Sequence, residues 1–197
     1  MSTTYNKLIA DIRLYSGRTD TEVVVAIPQF VAAAQAKLDS ELRIAEMIGT
    51  QTIKASTLTI TPADVLELIS VITGDYEAHQ TTLAEVLRMR GFNINPSHHV
   101  FAMNGKNIEL ITPTDVTITA FQTPPRINKD KQTNAYTDGA ENALLWLALS
   151  YLGVFARDVE MTQSWAQLAS NEIERLNNSY QAYAVSGAIQ EHNNEYF

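Results

Sequence analysis

The longest hydrophobic periodicity in the sequence lies between residues 27 and 47, and it predicts one long helix. Apolar side chains recur there every three or four residues, on one face of a helix roughly 30 Å long at about 1.5 Å of rise per residue. Pro28 suits the first helical turn because it has no N–H to lose, and Gly49 stands where a stop signal is expected. The apolar face comprises Ile27, Phe30, Val31, Ala34, Leu38, Leu42 and Ala45.

Helical patterns also occupy the rest of both chain ends. A short first helix is expected to end near Gly17. Residues 144–155 are apolar on nearly all sides, which predicts the central helix of a bundle, after a capping signal at Asp138 and Glu141. Residues 161–183 keep helical spacing, and we expect this last helix to end at Gly187.

The middle of the chain shows strand patterns instead. Residues 116–121 alternate between apolar and polar side chains, as expected of a strand with one buried face. The apolar runs 100–103 and 108–111 flank Asn104-Gly105, a pair typical of tight hairpin turns. Thr82-Leu83-Ala84-Glu85 has the form of a capping box and predicts a short helix before Gly91.

Together these patterns predict an α+β fold. We expect a mainly α-helical bundle of three to four helices from residues 5–48 and 138–186, which carries a small antiparallel β-sheet insertion over 51–123. The 45% hydrophobic content is sufficient for a packed core. The prediction is therefore one domain over residues 1–187 and an extended C-terminal tail over 188–197.

Composition narrows the classes of function. The net charge of −8 argues against sequence-independent binding of nucleic acid, which requires clustered Lys and Arg. The chain has no cysteine, so disulfides and thiolate metal sites are excluded, which fits the cytoplasm. The apolar run over 144–156 is shorter than the ~20 residues that a membrane-spanning helix needs, so no membrane partner is expected.

No motif for catalysis, cofactor binding or metal binding stands out. The histidines form no His-Glu-x-x-His pair, and neither a glycine-rich phosphate loop nor a Gly-x-Ser-x-Gly motif is present. We therefore predict no enzyme, no catalytic or metal residues and no cofactor. Carboxylate pairs such as Glu41 with Glu46 and Glu172 with Glu174 leave a glycosidase-type site open, because sequence does not show their spacing.

Several segments, taken in order over roughly residues 20–185, resemble the head-to-tail adaptor (connector) proteins of tailed bacteriophages. The proline-led helix from Ile27 ends in Glu41-Leu42-Arg43, like the "ELR" segment of that family. Leu58-Thr59-Ile60-Thr61-Pro62-Ala63-Asp64 is similar to its strand before "P-A-D-F", although Val65 replaces the Phe. Residues 98–110 resemble its "Y-x-x-x-G-N-x-L-x-L" hairpin with Lys106 inserted. Phe121-Gln122-Thr123-Pro124-Pro125 stands in place of "Y-Y-x-x-P".

The resemblance implies a structural virion protein. Such adaptors form homo-oligomeric rings, typically of twelve copies, below the portal protein after DNA packaging. The ring joins the DNA-filled capsid to the tail, contacts tail or nozzle proteins, and forms part of the conduit for DNA ejection. The alternatives are a virion-associated peptidoglycan-cleaving enzyme that uses a carboxylate pair, and a helical binding module with no viral role.

Two further expectations depend on this resemblance. Family members extend their C-terminal segments along the portal, so we expect Ile189, Tyr196 and Phe197 to be the portal contacts, in a tail that becomes ordered on docking. The ring lumen is expected to be acidic or neutral, since a basic wall would bind the phosphates of moving DNA.

Overall fold

The computed structural model describes residues 3–54, 56–94 and 99–193, with side chains placed up to residue 182. The fold is α+β, as predicted. The chain divides into two units, which we call the helical unit (Met1–Met47 and Pro124–Phe197) and the β unit (Ile48–Thr123).

The elements follow one another along the chain in an alternation of helical and strand segments. In chain order they are α1 (Tyr5–Ser16), α2 (Thr21–Glu41), a 3-10 turn (Ala45–Met47), β1 (Ile48–Ile53), β2 (Thr59–Ile60), β3 (Val65–Thr73), β4 (Tyr76–Glu77), β5 (His79–Gln80), α3 (Leu83–Gly91), β6 (Val100–Asn104), β7 (Asn107–Leu110), β8 (Val116–Gln122), α4 (Ala135–Gly139), α5 (Glu141–Phe155) and α6 (Val159–Asn193).

Helix α5 is the centre of the helical unit, as its pattern predicted. It contacts α1, α2, α4 and α6, and its buried residues lie on most of its circumference. A helix that is apolar nearly all round has to be enclosed by neighbours on every side. The buried set is Ala143, Leu144, Leu147, Ala148, Leu149, Ser150, Leu152 and Gly153.

The prediction of one continuous helix over residues 27–47 is wrong at both ends. Helix α2 begins at Thr21 and ends at Glu41, because Leu42 is extended and buried. Asn177 of α6 holds this end: its side-chain amide donates to the Glu41 carbonyl (2.8 Å), and its oxygen accepts from the Arg43 N–H (2.8 Å). A side chain of a distant helix thus binds backbone groups that a helix terminus leaves unpaired.

Pro28 and Gly49 also have other roles than predicted. Pro28 lies inside α2, about two turns from its start, rather than in the first turn. Gly49 is part of β1 and stops no helix. A Cβ at Gly49 would lie 2.5 Å from the side-chain oxygen of Gln122 on the neighbouring strand, so the glycine makes room for that side chain.

The start of the second helical half is capped one element earlier than predicted. Asn134, not Asp138, caps the short helix α4: its side-chain oxygen accepts from the N–H groups of Tyr136 (3.0 Å) and Thr137 (3.2 Å). The Thr137 hydroxyl oxygen accepts in turn from the Asn134 N–H (2.8 Å), which completes a capping box. Glu141 begins α5 directly afterwards.

Helix α6 does not end at Gly187 but continues to Asn193. The predicted extended tail is therefore wrong for residues 188–193, while residues 194–197 lie outside the described part of the chain. An interior glycine costs a helix only about 1 kcal/mol relative to alanine, so helix-forming neighbours such as Ala188 and Glu191 allow the helix to continue.

The described residues of the β unit form two four-stranded sheets. The first has the order β1-β8-β3-β4 and is antiparallel throughout, whereas the second has the order β2-β7-β6-β5 and includes a parallel pair, β5 with β6. The predicted hairpin forms between β6 and β7, but Asn104 pairs with Asn107, so the turn is Gly105-Lys106. Gly105 has a φ of 63°, a left-handed conformation that glycine adopts without a Cβ clash.

Helix α3 begins as predicted, because the Thr82 hydroxyl accepts from the Glu85 N–H (3.2 Å).

Both sheets contribute to one buried core of the β unit. The alternation of β8 also holds, with its apolar side chains turned inward. The buried cluster is Ile60, Val71, Ala78, Phe101, Ile108, Leu110, Val116, Ile118 and Ala120.

Candidate functional site

The three residues predicted to contact a portal are not brought together by the described structure. Ile189 lies in the last turns of α6, where only the backbone is described. Tyr196 and Phe197 lie outside the described residues. Their role remains a prediction.

The described histidines take part in packing and hydrogen bonding. His99 shares a hydrogen bond with the Thr73 hydroxyl through Nδ1 (2.7 Å), and its ring stacks on Tyr76 with 5.1 Å between the centroids. Over residues 3–54, 56–94 and 99–182, no group of three or more histidine or carboxylate side chains is arranged to hold a metal ion. His98 and the side chain of His192 lie outside this part.

Two of the four carboxylates singled out in the sequence, Glu41 and Glu172, are paired with cations on their own helices. Lys37 and Glu41 form an ion pair on α2. Glu172 accepts two hydrogen bonds from Arg175, each 2.8 Å, and these lower the pKa of Glu172. A glycosidase general acid needs the opposite, a raised pKa that keeps the carboxyl protonated. This geometry gives no support to acid catalysis by Glu172.

A partly buried ion pair joins α3 to the second sheet of the β unit. Arg90 donates to the Glu109 carboxylate (2.8 Å) and to the carbonyls of Leu110 (2.7 Å) and Leu58 (3.0 Å). Glu109 also accepts from Thr59 (2.9 Å) and Asn104 (3.3 Å). The hydrogen bond from Arg90 is the main cause that lowers the pKa of Glu109. Every charge in this cluster has partners, so we assign it a structural role.

A second polar cluster lies in the helical unit. Tyr136 is fully buried and donates its hydroxyl to Asp39 (2.6 Å), which also pairs with Arg126. One helical turn earlier on α2, Gln35 accepts from the Ile127 N–H (3.0 Å) and the Asn134 amide (3.2 Å). These bonds attach the chain that enters α4 to α2.

Several large apolar side chains of the helical unit are exposed. Tyr15 contacts Trp165 of α6 edge-on, with 6.1 Å between the ring centroids. Phe155 contacts Phe30 of α2 at 5.5 Å and is half exposed. Large apolar side chains that remain exposed are available for contacts with other proteins. The exposed set is Leu14, Tyr15, Val25, Val154, Phe155, Val159 and Leu168.

The β unit carries a groove of about 420 Å³ between the start of β3 and the β6–β7 hairpin. Its lining includes apolar side chains such as Val65 and Met103, and its charged residues are Asp64, Glu67 and Lys106. No acid, base and nucleophile in reacting geometry line it, so the groove itself indicates no chemistry.

Comparison with known proteins decides the family. The model of the family described as SU10 adaptor protein matches residues 3–190. The chain belongs to the SU10 adaptor protein family. No curated protein matches the chain at a significant level. The match spans the elements of both units and agrees with the resemblance found in the sequence.

Membership makes this SU10-family chain a phage head-to-tail adaptor, a structural rather than an enzymatic class of protein. An adaptor of this kind interacts with portal and tail proteins and belongs to the head–tail junction of the virion. Within the part of the chain that the structure describes, no helix is both long and apolar enough to cross a membrane.

Proposed function

We propose that copies of this adaptor assemble in the host cytoplasm into a homo-oligomeric ring, a dodecamer, directly below the portal. The ring joins the DNA-filled capsid to the tail and forms part of the DNA conduit. The observation that carries this proposal is the family match over residues 3–190. The exposed apolar side chains of the helical unit support it, because they provide surface for contacts between proteins.

Charge supports the role as a conduit. The net charge of −8 per copy is multiplied around a ring, which favours an acidic or neutral lumen. Such a wall does not bind phosphates, so DNA passes through without specific binding and continues to slide.

Imaging of the adaptor mixed with its candidate portal tests the ring. We expect a closed ring of adaptor copies on one face of the portal, and the number of copies can be counted in class averages. The isolated adaptor, imaged at the same concentration, shows whether the ring needs the portal as a template. An adaptor that remains monomeric and does not bind portal rings would contradict the proposal.

Deletion of residues 188–197 tests the portal contacts Ile189, Tyr196 and Phe197. The described contacts of α6 with the bundle, such as those of Ile173 and Asn177, precede the deletion. We therefore expect the deleted protein to keep the helical unit folded, with an unchanged melting temperature in circular dichroism, but to lose attachment to the portal. A triple alanine variant at the three positions is the matched control for loss of length. Full attachment by both variants would remove the tail from the proposed interface.

A further inference from the structure

Strand β1 forms an edge of the first sheet, and its outer side has no partner strand within the described residues. All six residues of β1 pair with β8 without a register shift, from Ile48 opposite Phe121 to Ile53 opposite Val116. An unbroken edge strand keeps its outer N–H and C=O groups in line, which makes it a template for another strand.

The hydrogen bonds of β8 show which groups of β1 point outward. Directly after β8, the Thr123 N–H donates to the Asp64 carbonyl beside β3 (2.7 Å), so odd-numbered residues of β8 face β3. Even-numbered residues therefore face β1, where their partners are Gly49, Gln51 and Ile53. The residues of β1 that direct their N–H and C=O groups away from the sheet are consequently Ile48, Thr50 and Thr52.

This edge lacks the features that normally protect exposed strands. β1 contains no charged residue, no proline and no bulge. The opposite edge of the same sheet is protected: β3 pairs with β4 at Ile72 and Thr73, shows two register shifts over residues 65–70, and carries the exposed charge of Glu67. The two edges of this one sheet therefore differ: the β3–β4 edge carries protective features and the β1 edge does not.

We infer that β1 accepts an additional strand from a different virion protein, an extended, uncharged segment of about five residues, a common strand length. The inference rests on the proposed function for the existence of that partner. Main-chain hydrogen bonds to Ile48, Thr50 and Thr52 provide the binding. The choice of an uncharged segment follows from the strands themselves, because neither β1 nor β8 has a charged side chain, whereas the exposed Glu46 and Lys54 lie beyond the two ends of β1.

Symmetry excludes pairing of β1 with the β1 of a second copy in such a ring. Two copies that pair through β1 are related by a two-fold axis, which gives a symmetric dimer with the copies in opposite directions. A ring between head and tail has all its copies in one direction. The other long edge of this sheet, β3, is bulged, so it does not offer a regular strand for a neighbour's β1.

Hydrogen exchange at single-residue resolution tests the inference in the free adaptor and in purified phage particles. In the free protein we expect fast exchange at Thr50 and Thr52 and slow exchange at Gly49 and Gln51, which bind β8. In particles the Thr50 and Thr52 amides are expected to slow about 100-fold or more, as for any amide that enters a stable ladder. Particles that lack the adaptor contradict the proposed function and the inference together. Adaptor present with fast Thr50 and Thr52 amides overturns the inference alone.

Two variants at Thr52 provide a matched pair. Thr52→Pro removes the outward N–H but none of the hydrogen bonds to β8. Edge strands tolerate proline at a position of this kind, where the N–H points away from the sheet. Thr52→Val keeps the N–H, and both variants lose the same hydroxyl contact with Thr117. We expect Thr52→Pro to lower the adaptor content of particles at least about 10-fold, and Thr52→Val to leave it unchanged. Equal adaptor content of the two variant particles overturns the inference. Protection of the Thr50 amide in the free protein that disappears on dilution also overturns it, because such protection indicates pairing with a second copy.

Discussion

Arg90→Ala is expected to destabilise the β unit by about 3 kcal/mol, because it leaves Glu109 buried and without its cation. The glutamate is only 6% exposed, so water does not replace the guanidinium. The carbonyls of Leu58 and Leu110 lose a donor in the same substitution. Both tryptophans lie outside the β unit, so the measurement is denaturant-dependent hydrogen exchange of the β7 amides rather than fluorescence.

The matched control for Arg90→Ala is Arg88→Ala. Arg88 lies on the same helix and donates two hydrogen bonds to Glu85, but its side chain is 52% exposed. Exposed pairs of this kind contribute little, so we expect β7 exchange to match the wild type. Equal effects of the two substitutions would show that burial of the Arg90 pair has no energetic consequence.

The Arg90–Glu109 pair also gives the β unit an acid dependence. The pKa of Glu109 is lowered in the folded state from the value of 4.5 that applies without these contacts. The resulting stabilisation is complete above that value and is lost as pH falls through the lowered folded-state pKa. In Arg90→Ala this part of the acid dependence should decrease.

Asp39→Ala is expected to destabilise the helical unit by about 2 to 3 kcal/mol, since it leaves the hydroxyl of Tyr136 buried without an acceptor. Arg126 loses its partner as well, but it is 45% exposed and remains hydrated. The fluorescence of Trp146 and Trp165, which both belong to the helical unit, can follow unfolding in urea.

Asp39→Asn separates the two contributions. It retains an oxygen that accepts from Tyr136 but removes the charge that pairs with Arg126, so the loss should be about 1 kcal/mol. A loss as large as in Asp39→Ala would assign the stabilisation to the ion pair instead of the Tyr136 hydrogen bond.

The buried hydroxyl of Tyr136 also leads us to expect that the helical unit loses stability at alkaline pH. Burial, and then the hydrogen bond to Asp39, raise the pKa of Tyr136 above the ordinary 10.0. The stabilisation is complete below that value and is lost as pH rises, because the unfolded chain releases the proton first. Tyr136→Phe should remove this part of the alkaline dependence.

The parts of the fold that could be predicted depend on local pattern. Helix α5, the cap of α3, the alternation of β8 and the β6–β7 hairpin each follow from residues that are close in sequence. The end of α2 was missed because its partner, Asn177, is 134 residues from Arg43. The parallel pairing of β5 with β6 was missed because two-residue strands leave no periodic signal.

The candidate interaction surfaces were likewise predicted only in part from the sequence. The C-terminal contacts were predicted from a resemblance and from apolar residues in a polar segment, and they lie beyond the described side chains. The open edge of β1 was missed because Gly49 was interpreted as a helix stop. The signal was nonetheless present, since Ile-Gly-Thr-Gln-Thr-Ile is uncharged and rich in β-branched residues.

The contact of Asn177 with the end of α2 has a consequence for synthesis on the ribosome. The β unit is one continuous stretch, so its residues are all available once residue 123 has emerged. Helix α2 emerges earlier but lacks α5 and the amide that holds its last turn until much later. We expect the β unit to fold first. The apolar faces of α1 and α2 remain exposed until the C-terminal half of the helical unit has been synthesised.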